Sequence, residues 1–204
     1  RITSVKDPLN RTTNAETDFK NRITAITDAL GNRKQYQYDA EGNLIKITEG
    51  ANITTMIYDS SNRLTSVTDA EGNTTKYEYA SAAGCATCGS GSTSIPAKIT
   101  DPLGNNTFLT FDRAGRVAGV RDRNNNLTSF AYDPLSRLIK KTYPDSTTAT
   151  YTYDQIGRLL TGTNINTTLT YTYDTLGRVK TYTGSGLSKP ISYEYDKNNN
   201  RTKM

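Results

Sequence analysis

The chain has no histidine and no tryptophan, and only two cysteines, two methionines and four phenylalanines in 204 residues. Without histidine, neither a Ser-His-Asp triad nor a histidine-ligated metal centre can be assembled, and acid-base chemistry would fall to carboxylates alone. No apolar run approaches the roughly 20 residues of a membrane-spanning helix, so no membrane span is expected. The start, Arg1-Ile2-Thr3-Ser4-Val5, has no charged segment followed by an apolar stretch and so does not read as a signal peptide. It looks like the middle of a repeat, and the chain is expected to be a piece of a longer polypeptide. Apolar residues are also scarce, at 34% of the total. Ala and Leu, which favour helices, are sparse in the chain.

What is abundant is Thr, Asn and Gly and, among the aromatics, Tyr, with 14 residues against 4 Phe. That composition favours pleated strands joined by tight turns, and an all-β architecture is predicted. A core built on tyrosine is thin and partly wet, because each hydroxyl still needs a hydrogen-bond partner. The formal charge of +5 is spread out, with Arg22, Arg63, Arg116, Arg137, Arg158 and Arg178 recurring beside Asp and Asn rather than in a basic patch. Nucleic acid is therefore not an expected partner.

A repeat dominates the sequence. Tyr38-Asp39-Ala40-Glu41-Gly42-Asn43-Leu44 returns as Tyr58-Asp59-Ser60-Ser61-Asn62-Arg63-Leu64, then as Phe111-Asp112-Arg113-Ala114-Gly115-Arg116-Val117 and Tyr132-Asp133-Pro134-Leu135-Ser136-Arg137-Leu138. Tyr153-Asp154-Gln155-Ile156-Gly157-Arg158-Leu159 and Tyr173-Asp174-Thr175-Leu176-Gly177-Arg178-Val179 follow, and Tyr195-Asp196 opens a partial copy. The period is 20 to 22 residues. Half a period away lies a second turn, Thr-Asp-x-x-Gly-Asn, at Thr27–Asn32, Thr68–Asn73 and Thr100–Asn105. Aspartate at a turn entrance accepts backbone N–H bonds, while Gly or Asn tolerates the positive φ that closes the turn. Turns every ten residues or so leave room for strands of about five or six residues and exclude helices.

Alternation assigns the faces. In Leu169-Thr170-Tyr171-Thr172-Tyr173 the apolar residues fall on one face and the threonines on the other. After each tyrosine turn the spacing changes, since Leu44 and Ile47, Leu64 and Val67, and Val117 and Val120 are three apart. A period-two strand would send such pairs to opposite faces, so a bulge or twist is predicted there.

These elements resemble the YD-repeat, or Rhs-repeat, family along nearly the whole chain. The resemblance implies tandem YD β-hairpins forming a continuous antiparallel, spirally curled sheet. Such sheets form hollow shells in Rhs polymorphic toxins, the C components of Tc toxins and animal teneurins. In the toxins the shell encloses a toxin domain, and other relatives are secreted or wall-associated. The expected partners are accordingly neighbouring repeats of the parent chain or other protomers, an enclosed toxin domain, or surface glycans. An Asp-Pro-x-Gly motif marks the autoproteolytic site of the toxin shells. Asp101-Pro102-Leu103-Gly104 and Asp7-Pro8-Leu9 occupy ordinary repeat turns here and are read as turns.

The residues that define the repeat are Asp39 and Gly42, Asp59 and Arg63, Asp112, Gly115 and Arg116, Asp133 and Arg137, Asp154, Gly157 and Arg158, and Asp174, Gly177 and Arg178. A catalytic carboxylate has no reason to recur in every repeat, so no catalytic residue, cofactor or metal is assigned. Asp122-Arg123-Asn124-Asn125-Asn126 lacks the Gly and terminal Glu of a calcium-binding EF-hand loop. The one irregular stretch, residues 80–97, is read as a Gly- and Ser-rich insertion between repeats 1–79 and 98–204 of one continuous domain. Its Cys85 and Cys88 are expected to form a local disulfide in an oxidising compartment. The leading function is structural: shell wall of a larger secreted or cell-surface bacterial protein that encloses or presents a cargo, and not an enzyme. The alternative is a carbohydrate-binding or adhesion module in which tyrosine rings stack on sugars.

Overall fold

The computed structural model describes residues 3–79 and 94–203 and is all-β among them. It divides into two compact units, the first ending at Phe108 and the second beginning at Leu109. The Cys85–Cys88 pairing lies outside the described residues.

Unit 1 is an antiparallel meander in which each strand pairs with its sequence neighbour. Its strands are β1 (Ser4–Lys6), β2 (Thr12–Thr17), β3 (Ile23–Thr27), β4 (Arg33–Tyr38), β5 (Leu44–Glu49), β6 (Asn52–Tyr58), β7 (Leu64–Thr68), β8 (Thr74–Glu78) and β9 (Lys98–Thr100). The first residues of β10 (Asn106–Phe111) pair with β9. Unit 2 takes the rest of β10, then β11 (Val117–Arg121), β12 (Leu127–Tyr132), β13 (Leu138–Thr142), β14 (Thr148–Tyr153), β15 (Leu159–Thr163), β16 (Thr168–Tyr173), β17 (Val179–Gly184) and β18 (Ile191–Ser192). Strands β19 (Glu194–Tyr195) and β20 (Arg201–Lys203) form a separate antiparallel pair.

The predicted bulge is present, and it falls at the tyrosine. Thr152 faces Thr161 but Tyr153 faces Leu159, leaving Leu160 as the extra residue on β15. The same slip places Tyr132 opposite Leu138, Tyr173 opposite Val179, Tyr58 opposite Leu64 and Tyr38 opposite Leu44. One residue inserted after each tyrosine turn brings the three-apart pairs, such as Leu64 and Val67, back to one face.

Each unit is a single layer. Among the described residues the buried hydrophobic ones are only Ala25, Phe111 and Ala149. The rings line one face: Tyr36 faces Ile47, Met56 faces Val67, and Tyr171 faces Tyr182 with ring centroids 5.4 Å apart. On the other face of β14 to β17 lies a threonine ladder, with Thr152 paired to Thr161 and Thr172 to Thr181, their hydroxyls hydrogen-bonded. Cross-strand pairs of this kind stabilise a sheet without a second layer to pack against.

Candidate functional site: a clamp along the tyrosine-turn edge

In a meander, alternate turns lie at opposite ends of the strands, so within each unit the tyrosine turns share one edge and the threonine turns the other. Most turns of both kinds use one scheme. At the 154–158 turn, Oδ1 of Asp154 accepts the N–H of Ile156 and of Arg158, while the Asp154 N–H bonds the Arg158 carbonyl. The third loop residue after the aspartate has positive φ, 91° at Gly157 and 82° at Gly177, a conformation an L side chain adopts only under strain. At the 28–32, 69–73 and 101–105 threonine turns the closing residue is asparagine. Asn105 donates through its Nδ2 and its backbone N–H to Asp101, which gives the 101–105 segment an ordinary turn geometry.

Arginine closes most tyrosine turns and does more than asparagine can. The Nε of Arg137 donates to Oδ2 of Asp133 in its own turn at 2.6 Å. Its guanidinium carbon lies 4.9 Å from the ring centroid of Tyr153, one repeat onward, and its Nη1 donates to the Asp154 carbonyl at 2.9 Å. The Tyr153 hydroxyl then donates back to the Leu138 carbonyl at 2.8 Å. Here one repeat grips the next through a ring stack and two hydrogen bonds.

The stack recurs for Arg22 on Tyr38, Arg63 on Tyr79, Arg116 on Tyr132, Arg158 on Tyr173 and Arg178 on Tyr195, all at 4.4–4.8 Å. The return bond from the tyrosine hydroxyl recurs at Tyr38, Tyr58, Tyr79, Tyr132, Tyr173 and Tyr195. Arg22, Arg116 and Arg178 also reach the next turn's aspartate carbonyl.

The carboxylates respond to this setting. At Asp59 and Asp112 the side-chain hydrogen bond from the arginine holds the carboxyl below its ordinary range. At Asp133, Asp154 and Asp174 burial pushes the other way, and the hydrogen bonds of the closing arginine outweigh it, so these too titrate low. The aspartates stay ionised and act as hydrogen-bond acceptors. Among the described residues no group of three or more His, Cys, Asp or Glu is placed to hold a metal ion.

The structure places every repeat-defining Asp, Gly and Arg in these turns. The sequence reading missed the second half of each arginine's work, its grip on the next repeat. A signal existed, since Arg22 to Tyr38, Arg63 to Tyr79, Arg116 to Tyr132 and Arg137 to Tyr153 are each separated by 16 residues. The grip also bears on sugar stacking, because a guanidinium already occupies a face of one tyrosine in each of these repeats.

Fold and site together define a tandem hairpin-repeat sheet whose repeated polar residues lock one repeat to the next. The chain belongs to the teneurin YD-shell family, whose model matches residues 1–142, and an RHS repeat is matched over residues 132–164. It is a YD/RHS repeat segment of the shell-forming kind. Among solved structures, it is similar to a chain in the crystal structure of TcdB2-TccC3 without the hypervariable C-terminal region, with a TM-score of 0.61, 14% identity and 91% of this chain covered. A chain in the crystal structure of TcdB2-TccC3 matches with a TM-score of 0.59, 14% identity and 95% of this chain covered. At that identity the likeness is one of fold. This chain spans 12% and 13% of the length of those two. No curated protein matches it in sequence.

Proposed function

We propose that this chain is a stretch of wall in a larger secreted or cell-surface protein, one continuous run of repeats that helps enclose or present a cargo domain. The observation that carries the reading is the clamp, in which the arginine that closes one repeat's turn also stacks on the tyrosine of the next. Architecture of that kind propagates indefinitely and converges nowhere, which suits a wall and leaves no place for a single reactive centre. The single-layer construction supports the same reading. The tyrosine face is only half-buried, and a wall that curves would turn such a face toward further wall or enclosed chain. The partners are then neighbouring repeats of the parent protein and an enclosed polypeptide domain.

Electron microscopy of the parent protein tests this directly. A hollow β-shell with this segment in its wall and added density inside is the expected result. A solid fibre, or an open sheet with nothing enclosed, would overturn the enclosure reading.

A further inference from the structure

One position in unit 1 lacks the clamp. Asn43 stands where the other complete copies carry arginine, so it closes the Asp39 turn with its Nδ2 on Oδ2 of Asp39 at 2.9 Å. It bridges to the next turn by a single further bond, Nδ2 to Oδ1 of Asn62 at 2.9 Å. Among the described residues no guanidinium covers the Tyr58 ring, whose hydroxyl bonds the Leu44 carbonyl at 3.0 Å. The turn itself is altered. Oδ1 of Asp39 accepts from Gly42 and Asn43, and the Gly42 N–H to Asp39 carbonyl bond is long, at 3.3 Å.

The opposite end of the same hairpin differs in the other direction. Strands β5 and β6 join through Gly50 and Ala51 alone, with Gly50 at φ 60°, in place of an aspartate-anchored loop. Glycine with positive φ in the first of two loop positions suits a tight II′ hairpin. Pairing there runs right up to the turn, from Lys46 opposite Thr55 to Glu49 opposite Asn52. The corresponding β13–β14 hairpin pairs only from Lys140 opposite Thr150 to Thr142 opposite Thr148, but its mouth is closed by Arg137 on Tyr153.

We infer that the β5–β6 hairpin is a hinge in unit 1, firmly closed at Gly50–Ala51 and lacking the arginine latch at its mouth, where the Tyr58 hydroxyl bonds the Leu44 carbonyl. The two neighbouring tyrosine turns, Asp39–Asn43 and Asp59–Arg63, separate there before any other pair in the unit that an arginine latches. This goes beyond the wall function and does not depend on it, since it concerns where the sheet opens whatever it surrounds.

Hydrogen exchange on the full chain tests it, read as protection factors so that intrinsic amide rates cancel. Segments 44–46 and 55–58 should be less protected than 138–140 and 150–153. Asn43→Arg should raise protection at 44–46 and 55–58 by about two- to fivefold, the change one exposed cation–π contact makes in an opening equilibrium. Arg137→Asn should lower protection at 138–140 and 150–153 by a similar factor, transplanting the hinge into unit 2. Equal protection in the two wild-type hairpins, or no response of the first to Asn43→Arg, would overturn the hinge. Both variants copy a turn already present in the chain, so loss of folding is not expected to mask the result.

Discussion

Arg137 and Tyr153 belong to different repeats, yet the guanidinium carbon of one lies 4.9 Å from the ring centroid of the other. The same arginine closes its own turn on Asp133 and reaches the Asp154 carbonyl. One side chain therefore serves as turn closure, aromatic stack and inter-repeat hydrogen bond, and the fork of a guanidinium is what makes the combination feasible.

Arg137→Lys should for that reason not behave as a conservative change. An ammonium can still pair with Asp133 but cannot also lie flat on the ring and donate onward. Loss of the stack and of the carbonyl bond should cost about 1–2 kcal/mol, measured by urea denaturation.

The tyrosines of each pair should respond differently to losing their hydroxyls. Tyr153→Phe removes the bond to the Leu138 carbonyl while keeping the ring under Arg137, so a loss of about 0.5–1.5 kcal/mol is expected. Tyr151→Phe, two residues earlier and facing Gly162, should be near neutral in the same denaturation assay.

Acid should unravel the edges. The carboxyls of Asp59, Asp112, Asp133, Asp154 and Asp174 all titrate below the ordinary aspartate range in the folded chain. Their contribution is fully present above the pKa of an unfolded aspartate, about 3.9, and is lost as pH falls through the lower folded values. Circular dichroism should show a stable sheet from neutrality to about pH 4 and progressive loss below it. A sheet equally stable at pH 2 and pH 7 would contradict the role given to these carboxylates.

Backbone conformation separates the residues that share one turn position. Gly157→Ala places a side chain at φ 91° and should destabilise the chain by about 1–2 kcal/mol although nothing crowds the site. Ser146→Gly, at φ 66°, relieves strain already present and should stabilise by a few tenths up to about 1 kcal/mol in thermal unfolding.

Much of this molecule was legible in the chain because its interactions are local. Asp154 meets its partners Ile156 and Arg158 two and four residues away, so residue type and spacing were enough to read the turn. The alternation of Tyr171 and Tyr173 with Thr170 and Thr172 set the two faces, since successive side chains in a strand point to opposite sides. The three-residue spacing of Leu64 and Val67 betrayed a bulge, because no regular strand puts such a pair on one face.

What remained for the tertiary structure to decide lies between repeats. Whether Arg137 spends its guanidinium on solvent or on Tyr153 depends on the position of a strand that leaves, turns and comes back before the ring appears. The hinge at Asn43 is of the same kind. As a letter in the sequence, asparagine in place of arginine is a harmless turn closure, as it is in the 28–32, 69–73 and 101–105 turns. Only the alignment of adjacent tyrosine turns along one edge makes it a missing latch, because a contact across the sheet is defined by register and twist and not by distance along the chain.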